Sequence, residues 1–249
     1  VTYVPGNSTD ILAKIQAQKG KQEISLAIID DGPMYQAVGQ GLCAPVEKAG
    51  PVNDLYDGAR MVGFCLAIPG LKAGGGYYLH SHMLGVADGY RDLGVGRRLK
   101  LAQRKDAVAR GIQLLEWTFD PLELKNAYFN MERLGAIVRR YLPNQYGTTS
   151  SPLHGGLPTD RLVAEWWVST PRVGSIVDGD AFDRPRATDR IAVPSNIAEL
   201  RAQEPRQARA VQAEIGKRFQ ECFGQGLAVI GFEKTPEAGV YLIGKWESS

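Results

Sequence analysis

The chain has 249 residues, of which 44% are hydrophobic and 22% are charged, and its formal net charge is +2. This length is enough for one large domain or two small ones, and the hydrophobic fraction is enough for a sizeable core. The small net charge argues against a nucleic-acid partner, and no apolar run approaches the roughly 20 residues that span a bilayer. Without a basic-then-apolar export signal at the start, we expect a cytoplasmic protein that does not contact a membrane.

The cysteines and histidines are few and scattered. Cys43, Cys65 and Cys222 make an odd count without metal-ligand spacing, so we expect neither a disulfide framework nor a structural metal. The three histidines also lack ligand spacing, and we therefore expect no metal site. A reducing compartment fits this pattern best.

Residues 1–50 differ in character from the rest. Their pattern predicts a strand, a helix, a strand and a second helix, and Gly50 and Pro51 mark a junction. Residues 4–8 and 29–34 resemble segments of the solute-binding proteins of polyamine-type ABC importers. Only about 46 residues share this resemblance, far too few for a two-lobed binding protein. A ligand-binding lobe is one interpretation, and a foreign or fused fragment that packs on the main domain is the favoured one.

From residue 51 onward the pattern changes to a hairpin that leads into a longer strand. Asp57 and Gly58 indicate the hairpin turn, residues 61–68 a strand, and residues 69–76 a glycine-rich loop. The extended run 77–86 then predicts a central strand. We divide the remaining chain into a core, 51–174, and a C-terminal extension, 175–249.

The loop 91–96, between this strand and a basic helix, carries the most information. Gly94 and Gly96 let backbone amides approach a bound group that a Cβ would block. Amides at a helix N-terminus, together with the helix dipole, favour phosphate. The pattern therefore predicts a pyrophosphate site, and we expect that a side chain at Gly96 would be forced into a backbone conformation suited to glycine.

These residues carry a resemblance to a known family. The Arg-x-x-Gly-x-Gly pattern at 91–96, after a strand that ends Leu84, Gly85 and Val86, resembles the acyl-CoA-binding motif of the GNAT acetyltransferase superfamily. Segments 79–86, 99–104, 117–121 and 126–130 are similar, in this order, to a bacterial branch of that superfamily. The resemblance extends from about residue 56 to the C-terminus. It implies an α/β (α+β) fold, with a mixed, mostly antiparallel sheet flanked by helices and splayed open at the Leu84 to Val86 end. The segment before residue 51 does not resemble a GNAT N-terminus.

The resemblance also implies a position for acetyl-CoA or another acyl-CoA. Strand amides near Leu84 and Val86 would hold the pantetheine arm and polarise the thioester carbonyl. The pyrophosphate would lie against loop amides, with arginines supplying positive charge. The expected cofactor-binding residues are Leu84, Val86, Arg91, Asp92, Leu93, Gly94, Val95, Gly96, Arg97, Arg98, Asn126 and Asn130.

Two histidines are candidate general bases. Acyl transfer to an amine needs a deprotonated amine, a stabilised oxyanion and usually a proton for the thiolate leaving group. Strand alternation puts His80, His82, Leu84 and Val86 on one face, and bases of the family commonly lie on this strand. An imidazole with its ordinary pKa near 6.5 is suited to accept an amine proton. The alternative for either histidine is a structural role, bonded to backbone.

The remaining catalytic candidates are less specific. The tyrosine that often acts as general acid in the family corresponds here to Met131, so the usual acid is absent. Tyr128, one turn earlier, is either a substitute acid or a packed aromatic residue. Glu116 is a buried partner of a histidine, a base that acts through water, or an exposed residue. His154 is either an acceptor contact or a solvated loop residue.

The helix after Gly96 and the C-terminal elements complete the prediction. In that helix Val95, Leu99, Ala102 and Ala109 share one face, and Arg97, Lys100 and Arg104 share the opposite one. Residues 174–190 are predicted to be a linker or surface loop, and Ser195 or Asn196 to cap a helix through about residue 223. The other predicted elements are strands at 114–119, 162–168, 191–194, 227–232 and 240–246, and a helix at 126–134.

Two function classes follow. The first is an acyl-CoA-dependent N-acyltransferase that acts on the amine of a small molecule or amino acid, as a monomer or a homodimer. The second is a non-catalytic acyl-CoA-binding protein or sensor, favoured by the missing tyrosine and by the missing N-terminal GNAT helices. A solute-binding component of an ABC transporter is a weaker third class, since it rests only on residues 1–46.

Overall fold

The structure, a computed structural model, describes residues 62–147 and 157–246, together with Ala13. Val1–Met61 and Val62–Ser249 are two separate compact units. The description that follows concerns the second unit. The strands and helices predicted for residues 1–50, the hairpin turn at Asp57 and Gly58, and His154 all lie outside the described residues.

The described part of the second unit contains eight strands in a single sheet, with helices packed against it. The strands are β1 (Gly63–Leu71), β2 (Tyr77–Val86), β3 (Leu114–Phe119), β4 (Ile137–Leu142), β5 (Arg161–Trp167), β6 (Asp189–Pro194), β7 (Ala228–Lys234) and β8 (Ala238–Gly244). The helices are α1 (Val95–Ala109), α2 (Leu124–Tyr128), α3 (Pro171–Asp178), α4 (Ile197–Gln203) and α5 (Pro205–Gly224). A 3₁₀ turn, Asp88–Tyr90, precedes α1, and a π-helical turn, Phe129–Arg133, continues α2.

The sheet is mixed but mostly antiparallel, which confirms the predicted fold class. Its strand order is β1-β2-β3-β5-β4-β7-β8-β6. Among the described strands, β2 and β3 form the one parallel pair, and every other neighbouring pair is antiparallel. The C-terminal strands join this same sheet, because β7 pairs with β4 at Val138 and Val229.

The parallel pair opens along its length. Pairing between β2 and β3 covers only Leu79 with Leu115 and His80 with Glu116. Beyond those positions β2 continues to Val86 and β3 continues to Phe119 without pairing to each other. We call this opening the fork. It lies at the end of β2 where the resemblance implies a splayed sheet, and it leaves one backbone edge of each strand without its neighbour.

Two helices differ from the prediction. The single long helix expected through residue 223 is divided into α4 and α5, because Pro205 begins α5 and has no amide to continue a preceding helix. The supposed linker after residue 174 is partly helical, since α3 begins at Pro171 and ends where Gly179 adopts a left-handed φ of 83°. Proline at the first turn and glycine just past the end are ordinary helix signals that the charged context of this segment obscured.

The core lies between the sheet and its helices. Trp166 of β5, Phe219 of α5 and Tyr241 of β8 are fully buried, and the rings of Phe219 and Tyr241 meet edge to face at 5.1 Å. The Phe219 ring also stacks on Tyr141 of β4 at 6.0 Å, so the predicted C-terminal extension and the core segment share one hydrophobic cluster. None of the helices in the described ranges is long and apolar enough to cross a membrane.

Candidate active site

The loop between β2 and α1 has the geometry of an anion site. Helix α1 begins at Val95, and its N-cap residue Gly94 has a left-handed φ of 79° and provides no side-chain hydrogen bond. Asp92 also lies in the left-handed region, with φ 61°. The amides of the first helical turn therefore have no side-chain acceptor at the cap, and such amides favour a bound anion.

The two glycines of this loop have different roles. At Gly94 any other residue would be strained, although open space surrounds the position of a Cβ. Gly96 lies inside α1 outside the left-handed region, and a Cβ there would meet Leu84 and Val86 at ordinary contact distances of 3.7 and 3.9 Å. The expectation that Gly96 needs a glycine conformation is therefore wrong. Glycine and alanine at position 96 therefore differ only in the space that the alanine methyl group fills. A bound anion would use that space.

The cations around the loop are arranged unequally. Arg91 is exposed and bonds to the Val86 carbonyl and to Asp88. Arg98 is also exposed, whereas the guanidinium of Arg97 donates to the carbonyl of Val177 in α3. Arg91 and Arg98 are thus the two predicted cations with solvent access, and Arg97 instead connects α1 to α3. Leu93 is exposed and Val95 half-buried.

A further cation, Lys125 at the start of α2, reaches the loop. Its ammonium lies 2.6 Å from the carboxylate of Asp92, and both side chains are largely exposed. An exposed pair of this kind contributes little stability. It does bring a third positive group, after Arg91 and Arg98, to the edge of the loop.

Strand β2 has a bulge at His82. Leu66 pairs with Met83 and Ala67 pairs with Ser81, so His82 is the extra residue on β2. Bulges are common beside active sites, where they redirect side chains. This bulge also shifts the alternation of the strand. Ser81 bonds to α1, yet Leu84 and Val86 lie against α1 as well.

The predicted single face of His80, His82, Leu84 and Val86 is therefore wrong. Residues 81 and 84 would point to opposite faces in a regular strand. Because both contact α1, His80 lies on the face away from α1, and Leu84 and Val86 lie on the face towards it. The extra residue in β2, which no periodicity in the sequence reveals, is the cause.

The two histidines remain close to each other. Their ring centroids are 5.8 Å apart with the planes tilted by 48°. His80 is half-buried and His82 is exposed. Burial, and secondarily the neighbouring His82, lowers the pKa of His80, while Glu116 opposes this shift. His80 is therefore a neutral imidazole at neutral pH, which has a free nitrogen able to accept a proton.

Glu116 is buried and ion-paired. It lies in register with His80 at the last paired position before the fork, and it is only 4% exposed. Lys72 approaches one of its oxygens to 2.5 Å, and Arg140 bonds to the same oxygen. Of its three predicted environments, the structure shows a buried carboxylate whose direct partners are these cations and not a histidine.

A second buried carboxylate, Glu165, stands opposite Glu116 on β5 and is 3% exposed. It bonds to Arg139 at 2.5 Å, and the Nε of Arg140 lies 3.7 Å away. A bulge in β4 places Arg139 and Arg140 together opposite β5. We call these two residues the arginine pair. Their side chains are 44% and 45% exposed, so buried carboxylates hold both guanidinium groups where solvent reaches them. Arg140 bonds to Glu116, which is in register with His80.

Lys100 is a site residue that the sequence did not single out. Its side chain lies between β2 and β3 on the α1 side, and the residue is 4% exposed. The ammonium donates to Ser81 Oγ at 2.7 Å and to Gln103 Oε1 at 3.2 Å, and lies 3.6 Å from the centre of the Trp117 ring. Burial lowers its pKa to about 7. At neutral pH the amine therefore exchanges readily between its charged and neutral forms.

The faces predicted for α1 are wrong in part. Val95 and Leu99 are half-buried beside Gly63 of β1, as apolar spacing suggested. The buried residues of α1, however, are Lys100, Gln103 and Ala107, while Ala102 and Ala109 are exposed. Polar residues occupy this face because the fork presents a serine hydroxyl and a tryptophan ring in place of a purely aliphatic surface, and both stabilise an ammonium.

The predicted site residues in the helical segment after β3 do not lie together. The buried Asn130 accepts a hydrogen bond from Trp117 Nε1 at 3.3 Å and so lies against β3 next to Lys100, while Asn126 is exposed. The ring of Tyr128 instead lies 4.0 Å from the ammonium of Lys234 on β7. Strands β5 and β4 lie between β7 and β3 in the sheet. The structure thus brings His80, His82 and Glu116 together but does not bring Tyr128 to them.

Comparisons with known proteins give structural matches only. No family model and no curated protein matches the chain. Among the solved structures that match, Arabidopsis thaliana NAA60 in complex with a bisubstrate analogue is 16% identical, with 66% of this chain and 95% of that chain covered and a TM-score of 0.39. A GNAT family acetyltransferase from Elizabethkingia anophelis with acetyl-CoA bound is 14% identical, with 45% and 71% covered and a TM-score of 0.36.

The NatB acetyltransferase complex bound to CoA and MES also matches, at 16% identity and a TM-score of 0.35. The match covers 42% of this chain and 63% of that chain, which is less than two thirds of its length. The comparisons give no support to the resemblance of residues 1–46 to solute-binding proteins.

Replacement of Lys100 by methionine tests its burial. The folded-state pKa of about 7 lies below the ordinary 10.5, so between these values the unfolded chain holds an extra proton and this residue makes stability rise with pH. The variant loses this contribution. From pH 7 to pH 9 its free energy of unfolding, measured by urea denaturation, should gain about 2 kcal/mol less than that of the parent.

The exposed Lys105 on the same helix gives the matched control, and Lys105→Met should follow the parent at both pH values. An identical pH dependence in the parent and Lys100→Met would contradict the buried position of this ammonium.

Proposed function

We propose that this protein is an acyl-CoA-dependent N-acyltransferase that transfers an acetyl or other acyl group to the amine of a small molecule or amino acid. The observation that carries the proposal is the position of the fork. It opens between β2 and β3 and leads from His80 and Glu116 towards the strand end that precedes the uncapped N-terminus of α1. An open strand edge that leads to a helix N-terminus fits an extended ligand with amide groups at one end and a pyrophosphate at the other.

The residues suited to hold the cofactor follow from this arrangement. Beyond His80, the edge of β2 that faces β3 has no strand partner among the described residues, so the backbone near Leu84 and Val86 is able to pair with an extended ligand. The amides of residues 92–97 suit the pyrophosphate, with Arg91 and Arg98 as accessible cations. Asn130, Asn126, Leu93 and Val95 remain proposed contacts. When bound, acyl-CoA supplies an activated thioester.

We assign the two proton transfers of the reaction to opposite faces of the fork. The reaction forms a C–N bond and breaks the thioester C–S bond, so one proton leaves the amine and one reaches sulfur. On the face away from α1, the neutral imidazole of His80, or His82 at the bulge, is suited to accept the amine proton. On the α1 face, the Lys100 ammonium, with a pKa near 7, is suited to supply the second proton. Lys100 replaces Tyr128 in this role because Tyr128 lies towards β7.

The acceptor side favours an amine that also carries a carboxylate. The arginine pair is held by Glu116, the register partner of His80, and by Glu165, and both guanidinium groups reach solvent. Guanidinium groups bind carboxylates in a bidentate manner. An amino acid whose amine approaches His80 would therefore have a cationic partner for its carboxylate, which supports amino acids as acceptors.

A second candidate function is non-catalytic binding of acyl-CoA. The observation that favours it is that Met131, at the position of the family's usual acid, is fully buried in the core. The Lys100 ammonium also already has three partners in Ser81, Gln103 and Trp117. In this case the fork would bind the thioester without turning it over.

Turnover separates the two candidates. Thiol release from acetyl-CoA should be detected with at least one member of a panel of amines and amino acids. Replacing both His80 and His82 by glutamine should lower kcat by about 10²- to 10⁴-fold, because the general base is lost, and leave CoA affinity unchanged. The single variants show which imidazole acts. CoA binding without thiol release from any member of the panel would favour the non-catalytic protein.

The cofactor site is tested by adding one methyl group. Gly96→Ala should raise the free energy of unfolding by about 0.5–1 kcal/mol, because alanine is the better helix former and its Cβ fits. The same methyl group occupies space next to the loop amides, so CoA affinity should fall by about tenfold or more in calorimetry.

Gly174 in α3 gives the matched control, because a Cβ there meets nothing within 4 Å. Gly174→Ala should also favour its helix but leave CoA affinity as in the parent. A Gly96→Ala protein that is more stable and binds CoA with unchanged affinity would place the cofactor elsewhere.

A further inference from the structure

A cavity of about 290 Å³ lies beside the N-terminus of α3, away from the fork. It is lined by Thr170, Pro171 and Arg172 at the start of α3, by Phe182 and Pro185 after that helix, and by Lys245 and Trp246 after β8. Strands β5, β4 and β7 separate β8 from β3 in the sheet. None of these residues takes part in the proposed acyl transfer.

Arg172 is a buried cation whose hydrogen bonds are incomplete. The residue is 4% exposed, its Nε donates to the Gly135 carbonyl at 3.0 Å, and its Nη2 donates to the Ile230 carbonyl at 2.7 Å. These two bonds explain how Arg172 joins α3 to the sheet. They leave Nη1 buried without a partner. Within the described ranges, no carboxylate forms an ion pair with this guanidinium.

A second buried donor at this cavity is also unpaired. Among the residues that the structure describes, the indole Nε1 of Trp246 has no hydrogen-bond partner, and the Trp246 ring lies 5.9 Å from the Arg172 guanidinium carbon. Buried N–H groups are rarely left without an acceptor, since each unmade hydrogen bond costs about 1–3 kcal/mol. Two such donors belong to residues that line one cavity.

The walls of the cavity restrict what an acceptor for these donors can be. The Phe182 ring lies 5.4 Å from the Arg172 guanidinium carbon, and the Trp246 ring and Pro185 add apolar surface. Lys245 is exposed at the same cavity and adds a second positive charge. Burial lowers the pKa of Arg172 to about 10, while Glu132 opposes this shift, so the guanidinium stays charged at neutral pH.

We propose that this cavity binds a small organic carboxylate with a flat apolar or aromatic body. One carboxylate oxygen accepts from Arg172 Nη1 and the other from Trp246 Nε1, while the body of the molecule packs between Phe182 and the indole. A volume of 290 Å³ equals that of about ten water molecules in the liquid. This accommodates a molecule of the size of benzoate. The site is independent of the proposed acyltransferase activity.

Benzoate is the probe, and benzamide is its neutral counterpart of the same shape. Calorimetry on the full chain should give a Kd of about 1 mM or lower for benzoate and at least tenfold weaker binding for benzamide. In ¹H–¹⁵N spectra, benzoate should shift one of the four tryptophan indole signals. That signal should be the one missing from Trp246→Phe, which removes the donor and keeps an aromatic ring.

Trp246→Phe should bind benzoate about five- to tenfold more weakly. Because Arg172 also joins α3 to the sheet, Arg172→Lys serves as a second variant that keeps the charge and changes the donors, and it should weaken binding at least as much. Equal affinity for benzoate and benzamide, absence of binding at about 10 mM, or an unchanged affinity in Trp246→Phe would each overturn the proposal.

Discussion

The loss of pairing between β2 and β3 is the constraint on which the site depends. Two parallel strands that pair only at Leu79 with Leu115 and at His80 with Glu116 separate beyond these positions, and each then has an open backbone edge. Unpaired backbone groups in a partly buried position need partners. On one side of the opening Lys100 and Gln103 of α1 contact Ser81, and on the other side lie His80 and Glu116.

The fork also explains why charged groups are buried around it. Lys100 lies within the fold only because Ser81, Gln103 and the Trp117 ring surround its ammonium. Glu116 and Glu165 are buried only because cations from β4 and from the β1–β2 turn cover them. Buried charges of this kind are tolerated when they are paired, and removing one partner is strongly destabilising. Lys100 and the two glutamates are thus each held in place by their own partners.

Much of the fold could be predicted from the sequence, because its signals are local. The central strand, the glycine loop and the helix after it follow from apolar runs and glycine positions, and strand β3 has the predicted bounds Leu114–Phe119. The mixed sheet was predicted through the family resemblance. The break at Pro205 was missed although proline itself indicates it.

The site was less predictable, because it depends on irregularities and long-range contacts. The bulge at His82 reverses the side-chain alternation of β2, and no residue type in that strand announces it. Lys100 looked like a solvent-facing residue, since the hydroxyl and ring that enclose it come from β2 and β3. Tyr128 shares a helical segment with Asn130, but residues two positions apart do not share a helix face, and these two contact different strands.

Amide hydrogen exchange with and without CoA shows whether the fork and the loop hold the cofactor, because it reports on their backbone without altering the protein. We expect slower exchange for the amides of residues 83–86 and 92–97 when CoA is bound, with little change in β6, β7 and β8. Protection confined to other parts of the chain, with unchanged exchange along both of these segments, would contradict this expectation.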